Sequence, residues 1–214
     1  AESDIEGQVS MIEQQIGAGC DAIVCAPNDA SAAGAALQAA IDQGIPVLAV
    51  DTNVGIDGQT CFVGTSNVDA GYEKACEEAG VEVLDALSGQ NTTDGATKTM
   101  EDMLNAHPGE IKMVFCHNDD TAIGAMNACK NAGVTDVTIV GFDGNESAVD
   151  LILAGELIKA TVAQQPYEMG YQVVEAAVKA INGETVEETI NAPVEVVTTE
   201  NGQAYLDNLA SMKG

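Results

Sequence analysis

Short apolar segments alternate with longer amphipathic segments along almost the whole chain, and this alternation limits the fold more than any other feature. Segments 22–25 and 46–50 are apolar throughout, which is typical of strands buried on both faces of a sheet. Between such segments, apolar residues recur at helical spacing, as Ile5, Val9 and Ile12 do. The pattern predicts an α/β protein in which helices cover both faces of parallel sheets.

The boundaries of the predicted elements follow from capping residues, glycines and prolines. The strands are expected at 22–25, 46–50, 61–63, 81–84, 112–116, 137–140, 160–163 and 194–198. The helices are expected at 5–16, 30–43, 67–79, 94–105, 120–131, 147–154, 167–181 and 203–209. Strands and helices therefore alternate almost one to one.

The second half of the chain weakly repeats the first. Each copy has an Asn-Asp pair at the end of one strand and a lone aspartate at the end of the next: Asn28-Asp29 and Asp51 in the first copy, Asn118-Asp119 and Asp143 in the second. The carboxyl ends of strands are where open α/β sheets bind ligands. Asp29 and Asp119 are interpreted as helix caps, whereas Asp51 and Asp143 end buried strands, where a carboxylate needs a polar partner.

The charge of the chain excludes several classes of function. Seven lysines, no arginine and 34 acidic residues give a net charge of −27. A surface this negative repels nucleic acid and anionic membranes. Anionic substrates are also disfavoured, because no arginine can bind a carboxylate or phosphate through two hydrogen bonds. A neutral or cationic small ligand remains compatible with this composition.

No motif brings together a nucleophile, a base and a residue that orients them, so the chain is predicted not to be an enzyme. Phosphate-binding loops, dinucleotide-binding loops and a G-x-S-x-G turn are absent from the sequence. Of the two histidines, His107 lies in a helix-ending turn and His117 at a strand end, where it is a candidate to line a binding site. No cofactor is expected.

The six cysteines are predicted to be free thiols and mainly small buried hydrophobic residues: Cys20, Cys25, Cys61, Cys76, Cys116 and Cys129. None belongs to the close C-x₂-C pair that a zinc site requires. No metal site is therefore expected.

Five segments resemble the periplasmic sugar-binding proteins of the ribose-binding type. Residues 19–29 read Gly-x-Asp-Ala-Ile-Val-x-x-Pro-Asn-Asp, and 44–51 read Gly-Ile-Pro-Val-x-x-x-Asp. Residues 114–125 contain Val-Phe-Cys-His-Asn-Asp, 140–144 read Val-Gly-Phe-Asp-Gly, and 160–166 read Ala-Thr-Val-Ala-Gln-Gln-Pro. These segments follow the order and spacing of that family over nearly the whole chain.

The resemblance implies two lobes joined by a hinge, each with a doubly wound parallel sheet, which is the type I periplasmic binding protein fold. It places residues 1–80 and 165–191 in the N-terminal lobe, and residues 81–164 and 192–214 in the C-terminal lobe. The long helix at 167–181 is expected to pack on the N-terminal lobe, although it follows strands of the other lobe.

The resemblance also implies the ligand-binding residues. Asp51, Asn118, Asp143 and Gln164 occupy positions that hydrogen-bond sugar hydroxyls in this family, and they are expected to meet in the cleft between the lobes. Asn91 aligns where relatives often carry a stacking aromatic residue, and we expect it at the rim of the cleft.

Two further residues are candidates to line the cleft. Thr52 stands where relatives commonly place an arginine, and His117 precedes the Asn118 position. The difference at Thr52 leaves the particular sugar open.

The chain departs from the family pattern in two places. It is expected to lack the first strand–helix–strand unit and a segment near residue 80, where a helix containing Tyr72 and Cys76 runs almost directly into the strand 81–84. We therefore expect a gap in the chain at or near Gly80–Val81. An unbroken chain would instead be a reduced two-lobe binder with poor sugar affinity.

The resemblance implies an extracytoplasmic solute-binding protein, periplasmic or held on the outer face of the membrane as a lipoprotein. Such a protein captures a neutral monosaccharide-like ligand as a monomer and delivers it to the permease of an ABC importer. One alternative is the effector-binding core of a lactose-repressor-type regulator, which the net charge and the lack of a helix-turn-helix at the N-terminus disfavour. Another is a sugar-binding domain that signals through a sensor.

Overall fold

The computed structural model describes residues 4–65 and 76–212. Contacts between residues divide the chain into two compact units, each made of two sequence segments. The first unit comprises Ala1–Asn67 and Gln165–Pro193, and the second comprises Val68–Gln164 and Val194–Gly214. Residues 76–80 thus group with the second unit, whereas the resemblance placed them at the end of the first lobe. Most of the predicted helix at 67–79 lies outside the described residues, and 76–79 are helical.

The first unit is built on a four-stranded parallel sheet in the order β1-β2-β3-β7. Its strands are β1 (Ile23–Cys25), β2 (Val47–Val50), β3 (Cys61–Gly64) and β7 (Thr189–Asn191). Its helices are α1 (Ile5–Ala18), α2 (Ala30–Asp42) and α6 (Pro166–Ile181). The strand β7 was not predicted, because Thr-Ile-Asn has no apolar run that would distinguish it from a loop.

The second unit has a sheet in the order β4-β5-β6-β8. Its strands are β4 (Met113–Phe115), β5 (Thr138–Asp143), β6 (Ile158–Ala163) and β8 (Glu195–Val197). Its helices are α3 (Thr93–Ala106), α4 (Asp119–Asn131), α5 (Glu146–Leu153) and α7 (Gly202–Met212). The edge strand β8 runs antiparallel to β6, which corrects the expectation of uniformly parallel strands. Mixed sheets of this kind are common, since an edge strand is free to pair in either direction.

The helix α6 packs on the first unit. Its residues Met169 and Val173 are buried in one apolar cluster with Leu48 of β2 and with Cys61 and Val63 of β3. This is the lobe in which the family resemblance placed the helix, although α6 directly follows β6 of the second unit.

The predicted strand at 81–84 does not form. Residues 81–89 are irregular, and Val81 and Val83 remain 46% and 45% exposed. Their apolar pattern predicted a strand, but these residues pair with neither sheet, and β4 remains the edge of its sheet. The prediction failed because a strand needs a partner as well as an apolar sequence.

The structure shows a continuous backbone at Gly80–Val81, where we expected a gap. The backbone continues through this bond in a helix-ending turn, in which the Val81 N–H donates to the carbonyl oxygen of Cys76 at 2.8 Å. Gly80 adopts the left-handed conformation that such turns require, with a φ of 66°. Gly80 therefore ends the helical residues 76–79, and the chain changes direction there.

All six cysteines are free thiols in the structure, and all except Cys20 are buried. Within residues 4–65 and 76–212, no helix combines the length and apolar character needed to cross a membrane.

Candidate functional site

The polar residues singled out in the second unit stand at the carboxyl ends of three adjacent strands. Asn118 follows β4, Asp143 ends β5 and Gln164 follows β6. Because β5 lies between β4 and β6, Asp143 occupies the middle of this row. The sheet order thus brings together residues that lie far apart in the sequence.

Asp143 and Gln164 are joined by two hydrogen bonds. The Gln164 Nε2 donates to Asp143 Oδ1 at 2.9 Å, and the Gln164 N–H donates to the carbonyl oxygen of Asp143 at 3.2 Å. Asp143 has a φ of 107°, a conformation that residues other than glycine rarely adopt. The side-chain bond joins one carboxylate oxygen of Asp143 to the amide nitrogen of Gln164.

Asn118 and Asn91 form a second pair. The Asn118 Nδ2 lies 3.4 Å from Asn91 Oδ1, while the Asn118 Oδ1 caps α4 by accepting the N–H of Thr121 at 2.8 Å. The cap fixes the orientation of the Asn118 amide, so that its NH₂ group points away from the helix. Asn91 is exposed and has a left-handed backbone, with a φ of 52°.

Close packing of α3 against α4 sets the position of Asn91. A Cβ atom added at Gly124 in α4 would lie 2.4 Å from the carbonyl oxygen of Thr93 in α3, so only glycine permits this approach. The Thr97 hydroxyl of α3 also donates to the carbonyl oxygen of Gly124 at 3.1 Å. These contacts hold the start of α3, and with it Asn91, beside Asn118.

Asp29 and Asp119 differ, although the internal repeat aligns them. Asp29 caps α2 as predicted, its Oδ1 accepting the N–H of Ala32 at 2.7 Å. Asp119 is not a cap, because Asn118 takes that position. The fully buried Asp119 carboxylate instead reaches the turn after β5, where its Oδ2 accepts the N–H of Asn145 at 2.7 Å.

The pKa of Asp119 reflects this burial. Loss of hydration raises the pKa of its carboxyl group to about 6, while the hydrogen bond from the Asn145 N–H lowers it and the nearby Asp143 carboxylate raises it. Sequence reasoning interpreted Asp119 only as a helix cap. The available signal was the glycine at position 141 within a strand, which indicates close approach of another group. In the structure a Cβ atom at Gly141 would lie 2.1 Å from Asp119 Oδ1.

Asp51 and Thr52 belong to the first unit. Asp51 directly follows β2 and has a φ of 67°, and its N–H donates to the carbonyl oxygen of Val63 in β3 at 2.9 Å. Both side chains are exposed. The structure therefore places Asp51 where the sequence predicted, at the carboxyl end of a buried strand with its carboxylate accessible.

His117 lies beside a cavity of about 540 Å³ within the second unit. Its ring makes an edge-to-face contact with Phe115, the ring centroids lying 5.6 Å apart. Asn91 also lines this cavity, whose walls include the irregular segment 83–89 on one side and β4 on the other. The cavity thus lies between β4 and the irregular segment 81–89, which includes the predicted strand 81–84.

These groups suit hydrogen bonding to a polar neutral molecule. The second unit offers amides from Asn91, Asn118 and Gln164 and a carboxylate from Asp143, which together supply several donors and acceptors. Among the residues that the structure describes, no group of three or more His, Cys, Asp or Glu side chains could hold a metal ion.

Two α/β units with polar side chains at the carboxyl ends of their strands define a solute-binding protein of the periplasmic type. The periplasmic binding protein domain family matches the chain at residues 1–76 and 70–185. The chain therefore belongs to this family.

Comparison with individual proteins narrows the class to the ribose-type sugar-binding proteins. The ribose import binding protein of Bacillus subtilis is 32% identical, and the match covers 92% of this chain and 75% of that protein. An ABC transporter solute-binding protein from Bacillus halodurans, solved with bound myo-inositol, is 28% identical with a TM-score of 0.81, covering 96% of this chain and 84% of that one. A periplasmic solute-binding protein from Actinobacillus succinogenes, solved with bound D-allose, is 25% identical with a TM-score of 0.79. That match covers 94% of this chain and 86% of the other chain.

Proposed function

We propose that this protein is an extracytoplasmic solute-binding protein that captures a monosaccharide-like ligand for an ABC importer. The observation that carries the proposal is the row of hydrogen-bonding side chains at the carboxyl ends of β4, β5 and β6. Asp143 and Gln164 are already oriented by their mutual bonds, and Asn118 by its role as a helix cap. Groups held in this way lose little conformational entropy when a ligand binds.

The chemistry of this row favours a polyhydroxylated ligand. A sugar hydroxyl donates one hydrogen bond and accepts others, so neighbouring hydroxyls match neighbouring carboxylate and amide groups. One relative named above is a ribose import binding protein, and two solved structures contain bound myo-inositol or D-allose. Ribose, myo-inositol and D-allose are all polyhydroxylated compounds. The net charge of −27 and the absence of arginine disfavour an anionic ligand.

In this proposal Asp51, Asn91, Asn118, Asp143 and Gln164 bind the hydroxyl groups of the ligand. Asp51 contributes a carboxylate from the first unit, and the other four residues belong to the second unit. Thr52 and His117 are candidates to line the site. These two positions affect which sugar is bound. Thr52 stands where relatives commonly have an arginine, and a threonine cannot supply the positive charge of that side chain.

The proposal includes the partner and the cellular location. The protein would act as a monomer outside the cytoplasm, with a permease as its macromolecular partner and without a cofactor or a catalytic reaction. Support comes from the relatives, which include a ribose import binding protein and an ABC transporter solute-binding protein. The same relatives favour transport over the regulator alternative, as does a net charge that repels nucleic acid.

A thermal-shift screen tests the function. D-ribose, D-allose and myo-inositol are added at concentrations up to about 10 mM, so that weak binding is also detected. L-glutamate and L-lysine serve as controls. A ligand at 100 times its Kd should raise Tm by roughly 5–10 °C. A shift with a sugar or polyol but not with the amino acids supports the proposal. Shifts with an amino acid alone, or with none of these compounds, would refute it.

A further inference from the structure

We propose that Asp119 is a positioning residue for the ligand site, holding the turn 143–145 so that the Asp143 carboxylate faces Gln164. The inference rests on the proposed function, because it assigns a role within the same site. It begins from the contrast with Asp29, the equivalent residue of the first unit. Within the described residues the Asp29 side chain bonds to its own helix, whereas the bond from Asp119 reaches a residue 26 positions away.

Three groups fix the turn 143–145 from different sides. The Asp119 carboxylate accepts the N–H of Asn145 at 2.7 Å, and the buried Thr161 hydroxyl of β6 accepts the N–H of Gly144 at 3.2 Å. The Tyr205 hydroxyl of α7 donates to the carbonyl oxygen of Gly144 at 3.0 Å. Together these bonds satisfy the polar backbone groups of a turn that leaves the sheet immediately after Asp143.

The turn needs this support because its backbone is unfavourable. Asp143 has a φ of 107°, a conformation that persists only when the surrounding structure imposes it. Gly144 also has a positive φ, and a Cβ atom there would lie 2.4 Å from the Tyr205 hydroxyl. The orientation of the Asp143 carboxylate therefore depends on the groups that hold the next two residues.

The carboxylate of Asp119 is poorly suited to a merely stabilising role. Its pKa is raised to about 6 by burial, which means that ionisation at neutral pH opposes folding. An uncharged residue would avoid this penalty. The carboxylate is a strong acceptor for the Asn145 N–H. It therefore holds the backbone two residues after Asp143, which we propose binds the ligand.

The test compares Asp119→Ala and Asp119→Asn with Asp29→Ala as the matched control. Three quantities are measured: the hydrogen-exchange rate of the Asn145 amide, the NMR shifts of the Gln164 side-chain NH₂, and the affinity for D-ribose, D-allose and myo-inositol. The first two need no ligand. The alanine variant should raise Asn145 exchange at least tenfold, shift the Gln164 signals and weaken binding at least tenfold.

The controls separate positioning from a general loss of stability. Asp119→Asn keeps an oxygen acceptor and should restore exchange and affinity to within about threefold of the wild type. Asp29→Ala removes a helix cap and lowers stability, yet it should leave all three quantities unchanged in the folded protein. If Asp119→Ala does not fold, Asp119→Ser replaces it, because a serine hydroxyl is too short to span the same distance.

The inference is overturned if the alanine or serine variant keeps the wild-type Asn145 exchange and Gln164 signals. It is also overturned if those signals change while the affinity does not. If the wild type binds none of the three compounds, the proposed function fails, and the two ligand-free measurements still decide whether Asp119 positions the turn.

Discussion

Backbone conformations rare for residues other than glycine coincide with the proposed ligand-binding residues. In the described part of the chain, four non-glycine residues have a positive φ: Asp51, Gln90, Asn91 and Asp143. Three of these four were singled out from the sequence. Strain of this kind is tolerated where the surrounding structure imposes it, and it occurs often at binding sites. The coincidence supports a role in binding for Asp51, Asn91 and Asp143.

Two substitutions of Asp143 distinguish the effect of its carboxylate on binding from the effect of its strained backbone on stability. Asp143→Ala should weaken sugar binding by about 1–3 kcal/mol, because it leaves a ligand hydroxyl and the Gln164 amide without a partner. Asp143→Gly should lose the same affinity but be more stable than the alanine variant by about 1 kcal/mol, since glycine accepts a φ of 107°. Calorimetric titration and urea unfolding measure the two effects. Wild-type affinity in either variant would refute the site assignment.

His107 should make folding stability depend on pH. Its Nε2 lies 2.7 Å from Asp85 Oδ2 and its Nδ1 lies 3.3 Å from Glu110 Oε2, so only the protonated ring can donate to both carboxylates. These hydrogen bonds raise the pKa of His107. The stabilisation is therefore complete below the unfolded pKa of about 6.5 and is lost as the pH rises through the raised value.

An NMR titration of His107 tests this prediction. Asp85→Asn should lower the His107 pKa towards its ordinary value and reduce the loss of stability on going from pH 6 to pH 9. An unchanged His107 pKa in that variant would mean that the Asp85 contact does not form in solution. The same contact ties the irregular segment 81–89 to the end of α3.

At the scale of secondary-structure elements, two helical glycines have opposite roles. In α1, a Cβ atom added at Gly17 would meet nothing within 4 Å. In α4, a Cβ atom at Gly124 would lie 2.4 Å from Thr93 O and 3.0 Å from Thr97 N, both of which are backbone atoms of α3 that cannot turn aside. Gly17 is thus replaceable, whereas Gly124 permits the contact between two helices.

Alanine at these two positions should change stability in opposite directions. Gly17→Ala should stabilise the protein by about 0.5–1 kcal/mol through helix propensity. Gly124→Ala should destabilise it by about 1–3 kcal/mol, because α3 must move away, and Asn91 should move with it. Urea unfolding measures both changes, and an NMR comparison of the Asn91 and Asn118 side-chain amides reports the displacement. Equal effects of the two variants would contradict this interpretation of the packing.

At the scale of the whole molecule, cysteines are distributed through the cores of both units without forming disulfides. Cys25 and Cys61 lie in the first unit, and Cys116 and Cys129 in the second. Burial raises the pKa of all four thiols, that of Cys116 to about 12. Since the thiolate is the reactive form, these side chains should be inert while the protein is folded.

Thiol titration without reductant tests this distribution. The native protein at pH 8 should react slowly, and mainly through the partly exposed Cys20. After denaturation all six thiols should react. Recovery of four or fewer thiols would show that a disulfide is present, and rapid reaction of most of them in the native protein would show that the cores open readily.

Much of the architecture could be predicted from the sequence because the signals are local. Alternating apolar and amphipathic segments predicted seven of the eight strands found in residues 4–65 and 76–212, and capping residues predicted most helix boundaries there within a few residues. The repeated positions of Asp51 and Asp143 indicated the carboxyl ends of the strands. Interactions of this kind act within one or two turns of a helix, or along one strand, so the sequence records them directly.

The tertiary structure decided which distant groups meet. The segment 81–84 carries a strand pattern but has no partner, and β8 pairs antiparallel to β6, which no local pattern specifies. Asp119 has the sequence context of a helix cap, yet it bonds a residue 26 positions away, and Tyr205 reaches Gly144 across 61 positions. These contacts depend on how the sheet and its helices pack. The sequence alone therefore determined the order of the elements and the polar residues at the ends of the strands, and folding determined how those residues are held.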